Sequence, residues 1–164
     1  MKIFIKSAAV LTVLLGSGLT QAANTTASIP MGVEVPKSCS FSNVSSGIIL
    51  PEDGSEVQGS YILMCNIDGG FQAHYSLDSL NNSSNSSVHN TNGTALPISV
   101  HLWAPNTVLN HTLNSQLNNL PHSFNFGWLN KPIQTFIKVQ LVNPTTATTP
   151  AGVYTDTFRV NVNY

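Results

Sequence analysis

Charge is scarce in this sequence. Asp, Glu, Lys and Arg make up 8% of its 164 residues, about a third of the usual share. No stretch clusters Lys or Arg as a phosphate-binding surface requires, which argues against nucleic acid as a partner. The surface must be made of Asn, Ser and Thr instead. That suits a component packing beside copies of itself, and equally many secreted β domains.

Cysteine is nearly absent too. Cys39 and Cys65 are the only two, and neither lies in a CxxC pair or beside an activating charge, which argues against redox chemistry. In an exported chain the natural reading is one structural disulfide, worth roughly 3–4 kcal/mol on the chain-entropy model. Long apolar runs are missing as well. The longest, Ala8 to Leu15, is shorter than the roughly 20 residues a membrane span needs. With Lys2 and Lys6 before it and Thr20-Gln21-Ala22 after it, residues 1–22 read as a cleavable signal peptide. The 142 residues that follow hold four cations against seven acids, a formal net charge of −3. They suffice for one domain with a full core.

The signatures of catalysis are missing in turn. His74, His89, His101, His111 and His122 form no HxxxH or HxH pair. There is no Gly-x-Ser-x-Gly elbow, Walker loop or Gly-x-Gly-x-x-Gly turn. Glu52, Asp53 and Glu56 beside Gly54 lack the oxygen spacing of a calcium loop and read as a solvated turn. The sequence therefore argues for no enzyme, no metal and no cofactor. Trp103 and Trp128 sit in apolar stretches and are expected in the core or a groove wall. Exposed, they would favour the alternative of a secreted, self-contained carbohydrate-binding module.

What is present is alternation. From Val153 to Tyr164, Tyr154, Phe158, Val160, Val162 and Tyr164 fall on one face, with Thr155, Thr157, Arg159, Asn161 and Asn163 on the other. Ala27, Ile29, Met31, Val33 and Val35 repeat the period of two near the other end. Further strands are expected over Ser38–Phe41, Gly59–Asn66, Phe71–Leu77, Leu96–Trp103, Ser123–Trp128 and Thr135–Val142. Asp68-Gly69-Gly70 reads as a hairpin turn, and Asn81 to Thr94 as a connection between strands, of which Asn81 to Ser87 is a low-complexity polar loop with little to bury. Seven or eight short strands and no helical period predict an all-β sandwich of Greek-key type.

Lys37-Ser38-Cys39-Ser40-Phe41, the second cysteine in Ile62-Leu63-Met64-Cys65-Asn66, and Ala151-Gly152-Val153-Tyr154-Thr155-Asp156-Thr157 leading to Tyr164 together resemble one family. It is the spore coat protein U-type pilins of archaic chaperone–usher fimbriae. The resemblance spans the chain after residue 22 and is textural only from Leu77 to Pro132. It implies an incomplete immunoglobulin-like Greek-key sandwich completed by a donor strand from a neighbouring subunit. Residues 23–36 would be the donor extension and 37–164 the pilin domain. Ala27, Ile29, Met31, Val33 and Val35 would be the donor side chains, and Phe158, Val160, Val162 and Tyr164 the groove edge that pairs with a chaperone. Cys39 and Cys65 would tie the first strand to the second. Pro30 removes one ladder donor from the extension, and Val33 and Val35 lie close enough to Cys39 to belong to the first strand instead. The implied partners are a periplasmic chaperone, an outer-membrane usher and neighbouring pilin subunits. The implied location is a surface fimbria reached through the periplasm, serving adhesion or biofilm formation.

Overall fold

The computed structural model describes residues 28–81 and 83–164; Ala27 and the signal peptide expected over residues 1–22 lie outside them. Residues 28–34 form a unit separate from Val35–Tyr164. They adopt no strand and expose Ile29, Met31 and Val33.

The larger unit is all-β: β1 Cys39–Ser42, β2 Val57–Cys65, β3 Phe71–Leu77, β4 Ser87–His89, β5 Ala95–Trp103, β6 Asn110–Thr112, β7 Pro121–Phe124, β8 Ile133–Leu141 and β9 Phe158–Asn163. All strand pairs are antiparallel and fall into two sheets. One runs β1-β2-β8-β5-β4, with β6 also on β5; the other has only three strands, β7-β3-β9. Alternation decides which face is buried. Tyr61, Leu63 and Cys65 of β2, Ile98, Val100 and Leu102 of β5, and Ile133, Ile137, Val139 and Leu141 of β8 point into the core from the first sheet. Phe71, Ala73, Tyr75 and Leu77 of β3 answer them from the second.

Three expectations are corrected. Asp68-Gly69-Gly70 is no hairpin, because β2 pairs with β1 and β8 whereas β3 pairs with β7 and β9. The turn carries the chain between sheets with Ile67 buried beneath it. Gly70 is needed there: its φ is +84°, and a Cβ would lie 2.7 Å from the Phe124 carbonyl oxygen. The stretch Asn81 to Thr94 is not simply a loop, since its second half forms β4. Ser86, Ser87 and Asn90 within it are buried: Ser86 Oγ donates to the Ile98 carbonyl at 2.7 Å, and Asn90 Oδ1 accepts from the backbone of Asn92 and Thr94. The strand expected over Ser123–Trp128 instead runs Pro121–Phe124 and gives way to a turn.

Two phenols lie between the sheets. Tyr61 and Tyr75 are almost fully buried, and loss of hydration pushes both above the ordinary phenol range. A raised pKa means that the folded state holds the proton more tightly. Their contribution is therefore complete below about pH 10 and is lost as pH rises beyond it, by up to about 1.4 kcal/mol per unit for each phenol. Tyr75→Phe is expected to shallow that alkaline loss of stability, as read by urea unfolding at successive pH values.

Candidate functional site

The imbalance of six strands against three leaves the second sheet too narrow to close over the whole inner face of the first. A cleft of about 1270 Å³ opens there. Its floor is Ile98 and Val100 of β5 with Ile137, Val139 and Leu141 of β8. One wall is β9, through Phe158 and Val160; the other is Phe41 and the segment 44–50. Both rims are unpaired edges: among the described residues β9 pairs only with β3, and β1 only with β2. At the mouth Val44, Ile49 and Val153 are exposed. The lining is largely aliphatic, and its two acids, Glu52 and Asp156, leave it no positive charge. Open sheet edges and alternating apolar pockets are the features by which extended segments are recognised in general.

Short contacts hold the walls. The structure bonds Cys39 to Cys65, fixing the start of β1 to the end of β2, where the two residues are register partners. Beyond β1, Ser45 is held by its N–H to the Ser60 carbonyl and by its Oγ, which accepts from Ser60 N–H, both at 2.9 Å. On the opposite wall, the sequence Gly-x-Tyr-x-Asp-Thr acts through its side chains. Tyr154 OH donates to the Pro150 carbonyl at 2.7 Å, a bond of the kind that turns the corner into a late sandwich strand in immunoglobulin folds. Asp156 accepts from Ser79 N–H at 3.0 Å, Ser79 Oγ–H at 2.6 Å and Thr157 N–H at 2.8 Å. Arg159 grips Asp78 with two nitrogens at 2.9 and 2.8 Å, and this pairing holds the Asp78 carboxyl below its ordinary range. Asp156→Ala removes a charged acceptor of three bonds and is expected to cost about 1.5–3 kcal/mol in denaturant unfolding.

The named side chains separate by position. Phe158 and Val160 line the cleft, Val162 is half-buried against the core beside it, and Tyr164 is exposed. Val35 is exposed at the start of the larger unit. The wall segment Gly47-Ile48-Ile49-Leu50 matches no strand expected from the sequence, although an apolar run between Gly47 and the turn at Pro51 is its signal. Trp128 packs on the core edge-to-face with Phe124. Trp103 lines neither core nor cleft: its neighbour Leu102 takes the inward position, and Trp103 stacks half-buried on Phe136 at 4.6 Å. His111 and His122 approach to 5.7 Å between ring centres, and burial together with His111 lowers the pKa of His122. Among the described residues no three His, Cys, Asp or Glu side chains stand close enough to hold a metal. None of their helices is long and apolar enough to cross a membrane.

No family model and no curated protein matches the sequence. Solved structures do match the fold. A chain of the pre-assembly complex between the chaperone CsuC and the tip adhesion subunit CsuE, from the archaic chaperone-usher Csu pili of Acinetobacter baumannii, superposes with a TM-score of 0.50 at 15% identity. The match covers 79% of this chain and 40% of that one. A chain of a chaperone–tip adhesin complex of CFA/I fimbriae biogenesis gives a TM-score of 0.47 at 13% identity, over 76% of this chain and 41% of the other. This chain thus spans about two fifths of the length of the chains that it matches, and it shares with the Csu complex an all-β fold of antiparallel sheets.

Proposed function

We propose that this protein is a structural subunit of a surface fimbria, assembled by the chaperone–usher route through donor-strand exchange and supporting adhesion or biofilm formation. The observation that carries the reading is the apolar cleft between two unpaired strand edges, in a chain that also holds an alternating apolar segment outside its own sheets. In this reading Ile29, Met31, Val33 and Val35, with Ala27 as a shallow fifth, enter the cleft of a neighbouring subunit. Phe158, Val160, Val162 and Tyr164 form the edge that pairs first with a periplasmic chaperone and then with the donor. Residues 1–22 direct export, and an outer-membrane usher is where the exchange takes place.

A synthetic peptide of residues Asn24 to Val35 tests this directly against the domain beginning at Lys37. Tight, slowly reversed binding is expected. A Met31→Asp peptide should bind about 100-fold more weakly, because burying a Met side chain is worth about 3 kcal/mol at most and each 1.4 kcal/mol is a factor of ten. Failure of the unaltered peptide to bind a folded domain overturns the reading.

A further inference from the structure

Two ends of the larger unit carry surface features that its own packing does not use. β8 spans nine residues, which separates the ends by roughly 30 Å. At the Ile133 end, the β5–β6 and β7–β8 loops meet around a small hollow of about 340 Å³ bordered by Asn106, Thr107, Ser123, Asn125 and Trp128. Val108 and Phe126 stand out from these loops, 82% and 80% exposed, and Leu129 is 41% exposed. The result is an apolar centre with a polar, uncharged rim, the anatomy of a protein contact. Lys37 and Lys131 belong to the same end, and neither has an acidic partner among the described residues.

The start of the larger unit is fixed at this end. The Pro36 carbonyl accepts from Asn66 Nδ2 at 2.9 Å, and Ser38 N–H donates to Asn66 Oδ1 at 2.6 Å. Cys65, next to Asn66, bridges Leu129, and its carbonyl accepts from Asn130 N–H. At the Leu141 end the cleft mouth shows exposed Ile49 and Val153. Glu52 is fixed there by the bond from Thr145 N–H to its carbonyl, and Asp53 follows it.

We infer that these two ends form a head-to-tail contact between successive copies of this chain, with Phe126, Val108 and Leu129 against Ile49 and Val153, and Lys37 and Lys131 facing Glu52 and Asp53. The inference rests on the donor-strand reading and follows from its tether length. If Val35 is the last side chain inserted in the neighbour, the next residue, Pro36, is already bonded to its own domain. One residue spans at most about 3.6 Å, so the bodies have no slack and must abut around the root of the extension. Unlike faces at opposite ends repeat without closing, which produces a fibre and not a ring.

Hydroxyl-radical footprinting of the full chain, as monomer and as fibres sheared from the producing cell, tests the contact at Phe126 and Val108, which lie outside the cleft. SDS-resistant, heat-labile ladders report donor insertion separately. The expected result is ladders together with a several-fold loss of labelling at both residues in the fibre. Phe126→Ser with Val108→Ser should leave the ladder but give fibres that bend and break more readily. Ladders with undiminished labelling overturn the contact and leave donor exchange standing. Absence of ladders overturns both. Retained labelling with binding of a neutral glycan that Phe126→Ser abolishes would reassign the hollow to a ligand, and the contact would fall.

Discussion

Appending residues Asn24 to Val35 after Tyr164 through a short flexible linker is expected to raise the melting midpoint of the domain beginning at Lys37 by about 20 °C or more. Burying each of Ile29, Met31, Val33 and Val35 fully is worth about 1.5–3 kcal/mol, and ordering the segment takes back a substantial part. The surplus of several kcal/mol moves the midpoint of a domain this size by about 3–5 °C per kcal/mol. The gain has somewhere to go because the floor side chains Ile98, Val100, Ile137, Val139 and Leu141 already line an open cleft. Backbone groups along β9 add ladder bonds that its solvent-facing edge lacks. The control is the same chain with Met31→Asp and Val33→Asp, which keeps linker and length and should melt like the unextended domain. If both extended chains melt alike, the cleft does not accept this segment, and its apolar side chains serve another purpose.

The period of two made the sheets legible in the sequence. β3 lies where Phe71 to Leu77 alternates, and Phe158, Val160 and Val162 share the inward face, as their spacing requires. What alternation cannot convey is which strand lies beside which. Asp68-Gly69-Gly70 has the composition of a hairpin, but the core is closed by placing β2 and β3 in opposite sheets, a choice made by long-range packing. β4 and β6 have three residues each, too few for a period to show. β4 is also placed by a bond just before it, from Ser86 Oγ to the Ile98 carbonyl, which composition does not reveal. The cleft was legible only at its edge. Its floor is built from β5 and β8, whose residues look like any buried strand until the narrow second sheet is seen to leave a cleft above them. The lip at Ile48 to Leu50 was hidden for a related reason: it is an apolar run whose Ile48 and Leu50 pack on the core without joining a ladder.

Loss of the Cys39–Cys65 bond is expected to lower stability by roughly 3–4 kcal/mol, or about 10–20 °C in midpoint, and to weaken capture of the donor peptide beyond that. The bond closes a sequence separation of 26 residues and anchors a four-residue strand with a single neighbour. Without it β1 retains only its pairing with β2, and fraying of its free edge displaces Phe41 and the segment behind it from the cleft wall. A wall formed only part of the time reduces apparent affinity by the fraction formed. The two effects separate experimentally. Unfolding of the reduced domain gives the first; peptide titration of the fraction still folded gives the second. Chemical reduction is the cleaner perturbation, because Cys65→Ser would also bury a hydroxyl at a position that is 2% exposed. If the reduced, folded domain captures the peptide undiminished, the wall is held by the paired bonds between Ser45 and Ser60, and Ser45→Ala in the reduced protein should then produce the loss.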